Sequence, residues 1–177
     1  TAPAMVVTAR SLDPARGERT AAEGIAVITV PDTRWARVDI KSVSLLPNVL
    51  AKQAAREMGA REAWFVDAEG FVTEGSSSNA WIVTAGGEVV TRPADHSILN
   101  GISRAVVRDA VAAQGLTLVE RAFTTTEAWA AREAFVTAAS QIVQPVVRID
   151  GKPVGDGRPG PVATGLRREF HRHAELS

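Results

Sequence analysis

The segment Phe71-Val72-Thr73-Glu74-Gly75-Ser76-Ser77-Ser78-Asn79 places one carboxylate and a run of small hydroxyls between two strand-like stretches. The preceding stretch 63–66 is apolar and predicts a strand that pairs back with the start of this segment in a hairpin. The stretches 79–84 and 88–91 predict two more strands, joined by a turn at Gly86-Gly87. This meander of short strands indicates an antiparallel or mixed sheet.

Outward from this meander, strand and helix patterns alternate along the chain. We predict further strands at 5–9, 24–30, 116–121, 133–137 and 145–149, and helices at 46–58, 103–114, from 124, and at 161–175. The predicted fold class is therefore α/β (α+β), with a mixed sheet and flanking helices. With 177 residues, 45% of them hydrophobic, the chain can bury a sizeable core.

The composition excludes several functional classes. Twenty basic and twenty acidic residues give a net charge of zero, so we expect no nucleic-acid partner. The chain has no cysteine, which excludes disulfides, thiolate metal sites and cysteine nucleophiles. The three histidines show no metal-binding pattern, so no metal is expected. No apolar run is long enough to span a membrane and no signal peptide is visible, so we expect no membrane partner and a cytoplasmic location.

The chain has only three lysines, and one of them is a candidate amine nucleophile. Lys52 lies in a helix pattern among polar residues and Lys152 lies in a predicted turn, so both are expected to face solvent. Lys41 lies in the short, mostly apolar segment Asp39-Ile40-Lys41-Ser42. A lysine withdrawn from water can act as an amine nucleophile or form a Schiff base. The alternative is a surface lysine at the end of a strand.

Other features would complete a pyridoxal phosphate site beside such an amine. Glu74 supplies an anion for the ring nitrogen. Gly101-Ile102-Ser103 begins a helix whose free amides can bind a phosphate, and Gly101 permits close backbone approach. Leu99 offers an apolar surface, and Ala138-Ala139-Ser140 is a second loop of small residues. Each feature has an ordinary alternative: a hairpin turn at Glu74-Gly75, a solvated serine loop, or a simple helix cap at 101–103.

Three motifs carry a resemblance to a known family. They are Asp39-Ile40-Lys41-Ser42 with the following Leu45-Leu46-Pro47-Asn48-Val49-Leu50-Ala51-Lys52-Gln53, the segment 71–79, and His96-Ser97-Ile98-Leu99-Asn100-Gly101-Ile102-Ser103-Arg104. In these motifs the chain resembles the class IV, fold-type IV pyridoxal phosphate aminotransferases, and in particular their branch acting on D-amino acids. Residues 145–151 fit the family's late strand and turn, so the resemblance covers nearly the whole chain. It implies the family's large domain, a mixed sheet or pseudo-barrel with flanking helices.

The resemblance implies pyridoxal 5′-phosphate as the cofactor and gives roles to the residues around its ring. Lys41 is the catalytic residue: it forms the Schiff base and then moves a proton between the substrate α-carbon and the cofactor. Glu74 pairs with the pyridine nitrogen. Arg34 and Ser78 belong to the hydrogen-bonded shell around Lys41 and Glu74.

The resemblance also implies how the phosphate is held. Ile102 and Ser103 bind it through their amides, and Ser103 also through its hydroxyl, while Leu99 supports the ring. The amides of Ala139 and Ser140 lie near the phosphate and the substrate carboxylate. Family members often carry threonine where this chain has Ala139, so a hydroxyl contact is lost there unless Ser140 replaces it.

The domain organisation is a further implication of the resemblance. The family has an additional N-terminal small domain, which supplies arginine and histidine contacts and which we expect to be absent from this chain. We therefore assign residues 1–12 to the last strand of that small domain, 13–19 to an interdomain linker, and 20–177 to the large domain that binds pyridoxal phosphate.

The implied activity is transfer of an amino group between an amino acid, similar to D-alanine, and a 2-oxo acid by a ping-pong mechanism, in a homodimer. Aminodeoxychorismate lyase and branched-chain or (R)-amine aminotransferase are alternatives of the same fold that share Lys41 and Glu74. Two alternatives outside this class stay open: an inactive cofactor-binding fragment, and an α/β domain with no cofactor.

Overall fold

The computed structural model describes residues 4–9, 11 and 13–176. Its helices are α1 (Pro14–Glu23), α2 (Leu46–Glu57), α3 (Ile102–Ala113), α4 (Thr125–Trp129) and α5 (Pro161–Leu176). Its strands are β1 (Ile25–Pro31), β2 (Glu62–Val66), β3 (Phe71–Gly75), β4 (Asn79–Val83), β5 (Val89–Thr91), β6 (Leu118–Glu120), β7 (Phe123–Thr124), β8 (Glu133–Ala138), β9 (Ile142–Ile149) and β10 (Lys152–Pro153). Over these residues, none of the helices combines the length and the apolar character that crossing a membrane requires.

The strands form one mixed sheet in the order β6-β5-β4-β8-β9-β1-β2-β3-β7, with β10 paired to β9. β1 lies parallel between β9 and β2, whereas β2–β3, β4–β5, β4–β8 and β8–β9 are antiparallel. Although β3 and β4 are far apart in this order, the amide of Gly75 donates to the carbonyl of Ser78 at 2.7 Å. The sheet therefore curls into a half-barrel that brings the end of β3 next to the start of β4.

Aromatic side chains fill the core on both faces of the half-barrel. Trp81 stacks on Phe135 with ring centroids 5.4 Å apart, and this pair belongs to the cluster into which α3 and α5 pack. Trp64 meets Phe123 edge-on at 6.1 Å in a second cluster. All four rings are fully buried, and burial of each such side chain stabilises the fold by about 1.5–3 kcal/mol.

The predicted mixed sheet with flanking helices is confirmed. The predicted helices at 46–58, 103–114 and 161–175 correspond to α2, α3 and α5, and α4 begins with the expected cap at Thr124. The hairpins β2–β3 and β4–β5 form as predicted. β9 begins at Ile142, three residues before the predicted start.

The expectation of an exposed linker at 13–19 is wrong, because the chain is helical from Pro14. Asp13 caps α1 by accepting from the amide of Ala15 at 3.0 Å, and proline is favoured in the first turn of a helix. α1 docks on the domain through Glu18, which pairs with Arg167 at 2.6 Å. Residues 14–19 are thus part of this domain's packing.

The predicted strand at 5–9 is also wrong. These residues are described without regular structure, and Met5, Val6 and Val7 are exposed. A strand requires a neighbour that pairs with its N–H and C=O groups, and no strand within 13–176 pairs with this segment. Of the segment 1–12 assigned to a small domain, residues 1–3, 10 and 12 lie outside the described residues.

Candidate active site

A cleft of about 1010 Å³ opens at one end of the half-barrel. Its walls come from the loop before α2, the β3–β4 turn, the start of α3 and the end of β8. The predicted site residues that line it are Arg34, Lys41, Glu74, Ser78, Leu99, Gly101, Ile102, Ser103 and Ala139. The predicted amine and the predicted carboxylate therefore share one cleft of a size suited to a small molecule.

Glu74, in the buried part of β3, is the anion of the cleft and is only 6% exposed. One carboxylate oxygen accepts from Nη1 of Arg34. The other accepts from the amide of Leu99 and from Nδ2 of Asn79, both at 3.1 Å. Burial raises the pKa of Glu74 to about 7, although Arg34 and the Leu99 amide act in the opposite direction. A carboxylate with this proton affinity is suited to hold a proton on a neighbouring basic nitrogen.

Arg34 contacts two carboxylates with one guanidinium group. Its Nε and Nη2 donate to Asp32 at 2.9 and 2.7 Å, while its Nη1 donates to Glu74. The hydroxyl of Thr73 also donates to Asp32, at 2.8 Å. Burial lowers the pKa of Arg34, but Asp32 and Glu74 outweigh burial and raise it. The guanidinium is therefore a fixed cation beside Glu74.

The structure corrects the reasoning that singled out Lys41 among the lysines. Lys41 is exposed, whereas Lys52, expected to be solvated, has a side chain only 27% exposed and pairs with Glu62 at 3.1 Å. Helix α2 turns Lys52 toward the sheet, which the local pattern of polar neighbours did not reveal. Both lysines line the cleft. Among the residues described here, Lys52 has a carboxylate partner and Lys41 has none, so Lys41 keeps its candidate role.

The start of α3 is an anion-binding element in the cleft wall. Its N-cap, Gly101, has no side chain to satisfy the first amides, and no side-chain cap is present. A Cβ at Gly101 would lie 2.5 Å from Oδ1 of Asn79. Ser103 is buried while Ile102 is 72% exposed. Free amides at a helix N-terminus favour an anion such as a phosphate.

Ser78 lines the cleft, but its hydroxyl is not part of the predicted shell around Lys41 and Glu74. It donates to Glu62 at 3.1 Å, and the hydroxyls of Ser76 and Ser77 donate to the same carboxylate. The turn is tight enough to wrap all three serines around this one buried acid. The residue that joins Glu74 to the loop before α3 is instead Asn79, whose Nδ2 also donates to the Leu99 carbonyl at 2.8 Å.

The loop after β8 contributes to the cleft only as far as Ala139. Ser140 is exposed in the turn between β8 and β9 and is not among the lining residues. The prediction that Ser140 contributes to the site is therefore not supported. Adjacent residues in a tight turn face different sides, so the wall ends between these two positions.

Sequence reasoning assigned no role to three residues that organise the site: Asp32, Glu62 and Asn79. Glu62 had a detectable signal, since a carboxylate at the start of an apolar strand requires a buried partner. Asn79 follows the serine run and begins β4, which was visible without indicating its partner. Asp32 directly follows Pro31 and resembles an ordinary turn residue.

The half-barrel with an amine and a buried carboxylate in one cleft is the architecture of a class of transferases. The family model for amino-transferase class IV matches residues 1–149. The chain belongs to the class IV aminotransferase family. The predicted family and its fold, a mixed sheet with flanking helices, are thereby confirmed.

Curated relatives and solved structures agree with this family. D-alanine aminotransferase of Staphylococcus aureus (strain COL) is 40% identical over 173 residues, 98% of this chain and 60% of the relative. The enzyme of the same name from Listeria monocytogenes serotype 1/2a (strain 10403S) is 41% identical over 165 residues, 93% of this chain and 56% of the relative. The chain therefore spans about 60% of the length of these relatives.

Two solved structures superpose on most of this chain. The branched-chain aminotransferase of Thermoproteus uzoniensis with norvaline has a TM-score of 0.76 at 31% identity, over 85% of this chain and 51% of that one. A second branched-chain amino acid aminotransferase, from T.th., was solved with pyridoxamine 5′-phosphate. It has a TM-score of 0.76 at 31% identity, over 88% of this chain and 53% of that one.

Proposed function

We propose that this chain is the cofactor-binding part of a pyridoxal phosphate-dependent aminotransferase, which moves an amino group between an amino acid similar to D-alanine and a 2-oxo acid. One observation carries most of the support: Lys41 and the buried carboxylate of Glu74 line the same cleft, with the start of α3 in its wall. The identity of about 40% to D-alanine aminotransferases supports the choice of amino donor.

The residues present fit pyridoxal phosphate. The uncapped amides at the start of α3 suit its phosphate. A Cβ at Gly101 would meet Asn79, so the backbone is left open to close approach from the cleft. Glu74 offers a basic carboxylate to the ring nitrogen, and Leu99 offers an apolar wall.

The proposed mechanism assigns each step to a residue of this chain. When bound, pyridoxal phosphate supplies an aldehyde and an electron-withdrawing ring, on which amino groups are exchanged. Nζ of Lys41 holds the cofactor covalently and, once displaced by the incoming amine, moves a proton to and from the substrate α-carbon. Glu74 keeps a proton on the ring nitrogen, and Arg34 and Asn79 hold Glu74 in place. Lys41 serves both halves of the ping-pong cycle.

Three alternatives use the same cleft. Aminodeoxychorismate lyase and (R)-amine aminotransferase share the same lysine and glutamate. Branched-chain aminotransferase is supported by the solved structures of that name at TM-score 0.76. An inactive cofactor-binding fragment is supported by the share of about 60% of the relatives' length that the chain spans.

The proposal includes the surroundings of this domain. Residues 1–12 belong to the last strand of a small domain, residues 13–19 connect the two domains, and residues 20–177 form the cofactor-binding domain. The assembly is a cytoplasmic homodimer. Leu46, Val49 and Leu50 of α2 are exposed, and a cluster of exposed apolar residues on one helix supports a surface that another domain or copy covers.

The test is to locate the covalent attachment and measure transfer. The chain is incubated with pyridoxal 5′-phosphate, reduced with borohydride and digested, and mass spectrometry should find the label on the peptide containing Lys41. Lys41→Ala should abolish the label, while Lys52→Ala and Lys152→Ala should retain it. Labelling of Lys52 instead, or no labelling, would contradict the proposal.

The substrate is tested by amino transfer from D-alanine to 2-oxoglutarate, compared with L-leucine as donor and with aminodeoxychorismate as a lyase substrate. Transfer only from L-leucine favours the branched-chain alternative. Lyase activity alone favours the lyase. Labelling of Lys41 without any turnover favours the inactive fragment.

A further inference from the structure

Asp32 follows β1 and does not line the cleft, yet it binds the residue on which Glu74 depends. We propose that Asp32 is a positioning residue: it holds most of the Arg34 guanidinium and thereby keeps the Glu74 carboxylate strongly basic. The consequence for the ring nitrogen of a bound cofactor rests on the proposed function, whereas the effect on Glu74 itself does not.

The hydrogen bonds of Arg34 are unevenly divided between the two acids. Asp32 takes the two-pronged arrangement, accepting from Nε at 2.9 Å and from Nη2 at 2.7 Å. Glu74 receives only Nη1. Two parallel bonds to one carboxylate are the strongest pairing that a guanidinium makes. Arg34 is therefore oriented primarily by Asp32, and Glu74 has the weaker share.

Asp32 is itself fixed in this position. The backbone amide of Arg34 donates to it at 3.1 Å and the hydroxyl of Thr73 donates at 2.8 Å. Its side chain is 14% exposed, and that of Arg34 is 5% exposed. Although burial acts in the opposite direction, Arg34 lowers the pKa of Asp32. Asp32 is thus a permanent anion behind the cation.

One cation between two buried anions leaves one negative charge in excess. Burial raises the pKa of Glu74 to about 7, and the charge of Asp32 acts in the same direction. The neutral donors on Glu74 are the Leu99 amide and Asn79. Of the other charged groups near this end of the sheet, Glu62 is paired with Lys52, while Lys41 lines the same cleft without such a partner among the described residues.

Neutralising Asp32 should therefore transfer the guanidinium to Glu74. Removing one of two like charges and strengthening the remaining ion pair both favour the ionised form of Glu74, and such effects shift a pKa by about one unit or more. A less basic Glu74 would hold a proton on a neighbouring ring nitrogen less firmly. The second carboxylate thus serves to keep Arg34 from neutralising the first.

The experiment titrates Glu74 by NMR in the chain without cofactor. The protein is labelled with ¹³C at the glutamate side-chain carboxyl, and the Glu74 signal is assigned by its loss in Glu74→Gln. We expect a midpoint of about 7 in the wild type and a midpoint lower by about one unit or more in Asp32→Asn. An unchanged or raised midpoint overturns the proposal.

Two variants guard against trivial outcomes. Asp67→Asn is the matched control, because Asp67 is similarly shielded at 19% exposure and pairs with Arg92 at 2.9 Å; it should leave the Glu74 midpoint unchanged. If Asp32→Asn does not fold, Asp32→Ser makes the same neutralisation with a smaller side chain and must show the same lowering. Equal lowering in Asp67→Asn would also overturn the proposal.

A second readout uses ¹⁵N-labelled pyridoxal 5′-phosphate bound to the same proteins. Its ring-nitrogen chemical shift should report a smaller protonated fraction in Asp32→Asn than in the wild type at the same pH. A lowered Glu74 midpoint with no cofactor binding in any variant would reject the proposed function while leaving the effect of Asp32 established. An unchanged protonated fraction despite a lowered midpoint would reject the consequence for the cofactor.

Discussion

The side-chain oxygen of Asn79 lies 2.5 Å from the point that a Cβ on Gly101 would occupy. The same side chain donates through Nδ2 to the Leu99 carbonyl at 2.8 Å and to Glu74 at 3.1 Å. Asn79 therefore joins the buried carboxylate to the loop from which α3 begins. A side chain at position 101 must displace Asn79 or the start of the helix.

Gly101→Ala should consequently weaken both the fold and the cofactor site. Overpacking of this kind costs about 1–3 kcal/mol, measured as a lower free energy of unfolding in urea, and affinity for pyridoxal 5′-phosphate should fall with it. Gly86→Ala is the control, since the nearest atom to its added Cβ is 3.7 Å away. A Gly101→Ala protein as stable as the control would show that Asn79 is not held as described.

Glu74→Gln should change how stability depends on pH. Burial raises the pKa of Glu74 from 4.5 to about 7 in the folded state, so the folded state binds more protons than the unfolded state between these values. The contribution of Glu74 to stability is therefore fully present below about pH 4.5 and is lost as the pH rises through about 7. Urea unfolding between about pH 4 and pH 8 should show that the wild type loses about 3 kcal/mol relative to the variant.

Glu69→Gln provides the comparison for this titration, because Glu69 is an exposed acid in the β2–β3 turn. Its stability profile should run parallel to that of the wild type. A Glu74→Gln profile that also runs parallel would mean that Glu74 titrates in the folded protein as it does in the unfolded chain.

Glu62→Ala should be among the most destabilising substitutions in the domain. It removes the acceptor of Ser76, Ser77 and Ser78 and leaves Lys52 without its partner. Breaking a buried ion pair from one side costs about 3–5 kcal/mol. Chemical denaturation measures this cost. Glu57→Ala, at an exposed position of α2, should change stability by no more than about 0.5 kcal/mol, and equal effects for both would contradict the buried cluster.

Glu133→Ala should loosen the start of α5. The carboxylate of Glu133 accepts from the amides of Val162 and Ala163 at 3.1 and 3.0 Å, which is a helix cap supplied from a strand. Loss of a cap costs about 0.5–2 kcal/mol. Glu133→Gln keeps an acceptor oxygen and should lose less. Hydrogen exchange should show faster exchange at the first amides of α5 in the alanine variant, and unchanged exchange there would refute the cap.

Local patterns predicted most elements of this fold because their signals lie within a few residues. The alternation around the turn at Gly86-Gly87 indicated β4 and β5, and Gly115 marked the end of α3. α1 escaped because Pro14 and Gly17 in a charged segment resemble a loop. What decides for a helix there is the contact between Glu18 and Arg167, which are 149 residues apart.

The candidate site was predictable where a residue type determines its own chemistry and unpredictable where a partner determines it. Glu74 and the start of α3 were found because a carboxylate and free helix amides have few ordinary uses in a cleft. The pairing of Lys52 with Glu62 and of Arg34 with Asp32 depends on how α2 and the loop after β1 lie against the sheet. Ser78 was misassigned for the same reason, since its partner is Glu62 on a neighbouring strand.

The parallel pairing of β1 with β9 has a consequence for biosynthesis. Ile25 pairs with Val146 and Val27 with Ile149, so β1 waits for nearly the whole chain to leave the ribosome before one of its edges is covered. Long-range parallel pairing is slow, and an uncovered strand edge is prone to aggregation. We therefore expect nascent chains that stop before β9 to bind chaperones, and chains that extend beyond β9 to be released from them.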